Sequence, residues 1–291
     1  MDNYKTIIGI ICTLTAVLFG LGTGMLVKKV GTDVTVITTL FYRFLFSVPL
    51  LLLFALVARK SKFLEIKQKR TLILRIIFGF SGITFWFLAV RSMPLGQATT
   101  LFQSSVIFVT LLSPLLLSEK VGPVRWSAVL AGLIGIIIVT DPFSSALNAA
   151  ALYGVMAAFS GAILAILLRK LGRSDKPTSV ALWYNFAGTV IMGFVIICVP
   201  KQLSPIGGQI LIDLMLLGVV ASVLQIFFTT AYKYLDAVVV SALRYIQIPL
   251  SGIAGYFLFA ETMTSSQILG ALIIITSCLV IAWREFIRNE K

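Results

Sequence analysis

Ten long apolar runs separated by short polar intervals set the pattern of this chain, at residues 7–27, 35–58, 72–90, 97–118, 124–140, 149–169, 179–199, 210–231, 238–260 and 266–283. Each is about 17–25 residues long, the helix length that crosses about 30 Å of hydrocarbon at 1.5 Å per residue. A strand reading fails, because membrane strands take about 9–11 residues and alternate, and these runs do neither. The pattern predicts an all-α integral membrane protein with ten transmembrane helices. The first run, Ile7 to Val27, is longer than a signal-peptide core and lacks an Ala-x-Ala cleavage site, so it is expected to be the first retained helix.

The second half of the pattern repeats the first at a constant offset of 142: Ala16 falls on Ala158, Leu26 on Leu168, Lys28 on Lys170, Tyr42 on Tyr184, Phe44 on Phe186, Ala89 on Ala231 and Glu119 on Glu261. The expected organisation is therefore a first five-helix repeat over 1–142 and a second over 143–291. An odd number of spans per repeat forces the halves into opposite orientations. Loop charge agrees: the segment 59–71 after the second span carries six basic residues, and its equivalent 200–209 carries one.

Composition sharpens this picture. Charged residues make up 12% and apolar ones 59% of 291 residues, where soluble domains carry about 25% charged residues. A net charge of +13 would suit a nucleic-acid binder, but here seventeen of the 24 basic residues fall on one side of the expected spans and four on the other. That is orienting loop charge, and it predicts a multi-pass protein of the cell (inner) membrane with both termini cytoplasmic. Cys12, Cys198 and Cys278 are isolated in apolar runs with no metal-ligand spacing. Histidine is absent. No metal, cofactor or nucleic acid is implied, and the expected partners are the lipid bilayer and a small-molecule substrate.

Polar residues inside the spans need a reason. Arg43 lies eight residues into the second span, about 12 Å from its end, where an arginine costs at least ~2.5 kcal/mol and so faces protein or water. Its repeat partner is Asn185, which leaves substrate binding and a structural bond both open. Arg75, one turn into the third span, is expected to snorkel to the cytoplasmic surface. In the ninth span Ser241, Arg244, Gln247 and Ser251 share a ~120° arc. Pro249 there takes the usual donor from the carbonyl of Tyr245, as Pro114 does for Thr110. A polar, proline-broken helix lines a cavity more often than it faces lipid. Gln97, Thr100, Gln103 and Ser104 share a face of the fourth span. Trp86, near mid-membrane, offers a stacking surface for a planar or cationic group, while Trp126, Trp183 and Trp283 lie nearer span ends. Candidate substrate-binding residues are thus Arg43, Trp86, Gln97, Thr100, Gln103, Ser241, Arg244, Tyr245 and Gln247. Glu119 and Glu261 are candidates for helix-end anchoring or for ion coupling. Ala128, Gly132 and Gly135, with Gly20 and Gly24, allow close helix approach.

The stretch from Trp86 to Glu119, with its run AVRSMPLGQATTLFQSS and terminal Ser-Glu-Lys before Arg125-Trp126, resembles the EamA-type branch of the drug/metabolite transporter superfamily. The second half repeats the theme from Ala231 to Glu261, and Arg43 also fits. The resemblance covers the whole chain. It implies ten helices in two inverted five-helix repeats, cytoplasmic termini, and alternating access around a central cavity. The segment Arg91 to Gln103 is similar to a branch that includes S-adenosylmethionine carriers. The expected function is a secondary transporter for a small polar metabolite, such as an amino acid or derivative. A multidrug exporter, a passive channel and a non-transporting scaffold stay open. An enzyme would need a nucleophile with a base or a carboxylate pair at depth, and the spans offer neither.

Overall fold

A helix in lipid satisfies every backbone polar group within itself, and the apolar runs of this chain fold accordingly. The computed structural model describes residues 3–31, 33–59, 63–116, 122–140, 149–235 and 237–289, and these residues form helices and turns with no strand. The first three spans are α1 (Asn3–Val30), α2 (Val36–Arg59) and α3 (Lys69–Ser92). The fourth comes in two pieces, α4 (Leu95–Gln103) and α5 (Ser105–Leu116), followed by α6 (Pro123–Thr140). Then come α7 (Ala149–Gly172), α8 (Pro177–Cys198) and α9 (Gly208–Tyr234). The ninth span is again split, into α10 (Ala237–Arg244) and α11 (Gln247–Phe259), and α12 (Ser265–Asn289) ends the series. Among the described residues seven helical stretches are long and apolar enough to cross a membrane, and three more apolar helices are shorter. Hydroxyls inside them donate back to the preceding turn, as Thr13 does to the Gly9 carbonyl at 2.8 Å, which removes the cost of an unpaired group in an apolar setting.

Two compact units form, Met1–Phe80 with Leu167–Leu235 and Ser81–Ile166 with Asp236–Lys291. Each draws on both halves of the 142-residue repeat, and the divisions fall inside α3 and α7.

In the first unit α1 packs on α9, and α2 packs on both α8 and α9. The α2–α9 contact is close because Gly218 has no side chain: a Cβ there would stand 2.5 Å from Phe46 Cβ. Polar bonds follow at the same level. Ser47 Oγ donates to the carbonyl of Gly218 at 2.8 Å, and Ser222 Oγ to that of Ser47 at 3.3 Å. Lys29 pairs with Asp213 at 2.8 Å, tying α1 to the start of α9. At the other end of α9, Arg169 Nη1 donates to the Tyr232 and Leu235 carbonyls at 3.2 and 3.1 Å. A cation there complements the negative end of the helix.

In the second unit α6 packs along α12 and α4 along α11. Gly135 and Gly270 face each other so closely that a Cβ on either would lie 3.0 or 2.9 Å from the other's carbonyl oxygen. Small residues permit such approach where lipid supplies no hydrophobic drive. Replacing Gly135 with Leu is therefore expected to force α6 from α12 and to cost about 1–3 kcal/mol. Thermal unfolding of the purified protein in detergent checks this, with Gly22→Ala as the comparison. A Cβ at Gly22 meets only an ordinary contact with Val220, at 3.5 Å, and its melting temperature should stay at the wild-type value.

Candidate functional site

Two helix breaks organise the second unit. α4 ends at Gln103 and α5 begins at Ser105, while α10 ends at Arg244 and α11 begins at Gln247. Under the offset of 142, Ser104 corresponds to Ile246, so the breaks fall at equivalent positions of the two repeats. At the second break the Ile248 N–H turns to the Tyr245 carbonyl at 3.0 Å instead of reaching four residues back. Gln103 Nε2 donates to the Arg244 carbonyl there at 2.8 Å. The same amide nitrogen lies 3.3 Å from Gln247 Oε1. A side chain at one break thus satisfies the backbone opened at the other, as irregular backbone at membrane depth requires.

Pro249 sits four residues after Tyr245 and cannot donate to its carbonyl. The break lies at Tyr245 and Ile246, beside that missing donor. The first break has no such cause. α5 runs through Pro114 without interruption, and the helix parts ten residues earlier, at Ser104. The Ser104 N–H is shared between the Thr100 and Leu101 carbonyls at 3.2 Å each, and its hydroxyl donates to the Leu101 carbonyl at 2.6 Å.

Beside the breaks stands a line of rings ending in a cation. Trp86 of α3 lies 6.1 Å from Phe102 of α4, centroid to centroid, and the Arg244 guanidinium lies 5.4 Å from the Phe102 ring centre. Phe102 and Arg244 are repeat equivalents. Trp86 is buried at 6% exposure, and its indole Nε1 has no hydrogen-bond partner. Such a donor is costly to bury unpaired, and it leaves a bonding position open beside an aromatic face and a positive charge.

Other expected site residues are placed differently. Gln97 Nε2 donates to the Val139 carbonyl of α6 at 2.9 Å, and Thr100 Oγ1 to its own helix at Gly96, 2.8 Å. Both are buried and committed to packing. Tyr245 is buried at the second break. The side chain of Ser241 and the whole of Glu119 lie outside the described residues. Glu261 follows Ala260, whose φ of 52° reverses the chain after α11, with the Glu261 N–H bonded to the Gly255 carbonyl at 3.1 Å. Its carboxylate then accepts the N–H of Leu95 at 2.8 Å, at the start of α4, where Pro94 gives no side-chain cap. A negative group at a helix N-terminus is favoured by the dipole and satisfies an orphan donor.

Arg43 belongs to the first unit. It is 1% exposed, with its guanidinium 4.5 Å from the ring centre of Phe44 and 5.9 Å from that of Tyr184. Arg75 corrects the sequence reading. It does not snorkel to a surface but is buried at 1% exposure, with its guanidinium 3.6 Å above Tyr184. Sequence reasoning passed over Tyr184 and Phe102. Both carried a signal in the offset of 142, since Phe102 corresponds to Arg244 and Tyr184 neighbours Asn185, the equivalent of Arg43.

Comparison with known proteins agrees with a transport role. Residues 7–141 and again 148–283 match the EamA-like transporter family. The chain is 30% identical over 250 residues to the riboflavin transporter of Rhizobium johnstonii, covering 86% of this chain and 80% of that one. It is 31% identical over 260 residues to the S-adenosylmethionine uptake transporter of Rickettsia felis, covering 89% and 86%. One protein crystal structure shares its fold at a TM-score of 0.69 over 97% of this chain and 98% of its own, with 15% identity. The relatives are transporters and not enzymes. The chain is thus a multi-pass membrane protein that belongs to the EamA-like transporter family of the drug/metabolite transporter superfamily.

Proposed function

We propose that this protein is a secondary transporter moving a small polar metabolite, an amino acid or a derivative of the S-adenosylmethionine kind, across the cytoplasmic membrane by alternating access. Ten spans are arranged as inverted five-helix repeats, 1–142 and 143–291, with both termini in the cytoplasm. The observation that carries this reading is the pair of helix breaks at equivalent positions, joined by Gln103 and the Arg244 carbonyl. Discontinuous helices in corresponding halves are where secondary transporters bind their solutes. Repeat-equivalent helices also pack together within each unit, α2 with α8 and α6 with α12, as an inverted repeat would have it.

The chemistry of the break fits a polar, partly planar solute. Trp86 and Phe102 offer aromatic faces, the indole N–H offers a donor, and Arg244 attracts a negative group. A lipophilic cation with no acidic group would meet repulsion from Arg244 with nothing to offset it, which disfavours the multidrug-exporter reading. That the named relatives are a riboflavin transporter and an S-adenosylmethionine uptake transporter points to solutes that combine a ring system with polar groups. Any drive comes from an ion or solute gradient, with the coupling ion unassigned.

A metabolite-panel thermal-shift screen, followed by uptake of the best hit into proteoliposomes, tests this. Accumulation against a gradient is expected, and simple equilibration would identify a passive channel instead. Trp86→Ala and Arg244→Gln are expected to lower uptake at least about tenfold, the loss of roughly 1.4 kcal/mol of binding, while the protein stays folded. Gln103→Leu removes the bond to the Arg244 carbonyl and should cost about 1–3 kcal/mol of stability as well. Wild-type transport by all three variants would remove the break from the transport path. Cysteine labelling from either side is expected to place both termini on one face and residue 201 on the other.

A further inference from the structure

Among the described residues Arg43 and Arg75 are the two largest side chains buried below 2% exposure, and both are cations. Among the described residues no carboxylate pairs with either. Nε and Nη1 of each have no hydrogen-bond partner. Both guanidiniums lie against the one ring of Tyr184. What holds them is aromatic: Arg75 stacks over Tyr184 at 3.6 Å, and Arg43 lies between Phe44 and Tyr184 at 4.5 and 5.9 Å. Tyr184 is itself fixed by donating its hydroxyl proton to the Gly79 carbonyl at 3.0 Å.

Backbone has been cleared to make this arrangement. A Cβ at Gly79 would stand 2.7 Å from Arg75 Nη1 and 3.0 Å from the Tyr184 ring. One at Gly188 would stand 2.6 Å from the Phe44 ring that flanks Arg43. Ring faces offset part of the desolvation of a cation, but they leave Nε and Nη1 of each arginine unbonded. Each guanidinium presents a planar fork of donors that matches two oxygens of one anion. Asn185, next along α8, is fully buried and keeps an unpartnered Oδ1, an acceptor suited to a ligand's N–H or O–H.

We propose that Arg43 and Arg75, set around Tyr184, form a binding site for an oxyanion, the carboxylate or phosphate group of the transported solute. This rests on the transporter reading and narrows its substrate class to metabolites bearing such a group. An anionic lipid headgroup shares the chemistry, and the test separates the two sources.

The protein purified in detergent is incubated with radiolabelled inorganic phosphate, competed by acetate or by chloride at matched ionic strength. Saturable phosphate binding is expected, displaced by acetate and not by chloride. Arg43→Lys and Arg75→Lys, which keep the charge and lose the fork, should each weaken it about tenfold. Absence of saturable binding to the wild type overturns the proposal, as does equal binding by both folded lysine variants. The wild-type result stands even where a variant fails to fold. Binding is then repeated in nanodiscs of phosphatidylcholine and of phosphatidylglycerol. Equal phosphate binding in both supports a solute site, and its loss in phosphatidylglycerol assigns the site to lipid and overturns the solute assignment. Because these measurements need no transport, failure of uptake would sink the transporter reading while leaving the anion site readable.

Discussion

Every backbone N–H and carbonyl at membrane depth must find a partner within the protein. The split spans of this chain depend on that constraint. A helix can be opened there only if another side chain satisfies what the opening exposes, and Gln103 does so for Arg244 at 2.8 Å. The α4 N-terminus meets the same demand through Glu261, supplied by the tight left-handed turn at Ala260. α4 is thus held at both ends by residues of the other repeat. Its N-terminus takes a charge and its C-terminus gives an amide, so the element that positions Phe102 is fixed on its axis.

The two units handle polarity in different ways. The second exposes backbone and side-chain bonding capacity at its breaks, next to aromatic faces. The first buries full charges and surrounds them with rings, with glycines 79 and 188 making the room. Neither device improves stability. Guanidinium and indole N–H groups buried without a partner are costs.

Much of this architecture was legible in the sequence because its cause is local. The spans at 7–27, 72–90 and 210–231 correspond to α1, α3 and α9 within a few residues, since apolar length alone decides a membrane helix. Pro249 announced trouble near Tyr245 through its own ring. The break at Ser104 was not legible: its surroundings, LFQSSVIF, carry neither glycine nor proline. The amide of Gln103 reaches a carbonyl more than a hundred residues away, and only tertiary structure shows that. Arg75 misled for a similar reason. One turn from a helix end it reads as a snorkelling cation, and burial becomes evident only when Tyr184 and Gly79 are seen to receive it. Gln97 and Thr100 share a polar face by periodicity, yet one bonds α6 and the other its own helix. Periodicity assigns a direction and not a partner.

The make-up of the compact units has a consequence for biosynthesis. α2 and its neighbour α8 begin at residues 36 and 177, so at roughly 5–20 residues per second the ribosome separates their emergence by on the order of ten seconds. Through that delay Arg43 sits in the nascent chain without the Tyr184 ring, and Ser47 waits longer still for the Gly218 carbonyl. Emergence of α2 and completion of its packing are consequently successive events here. A gene cut at the repeat junction would encode two polypeptides, neither holding a whole unit, and only their meeting in the bilayer could complete one.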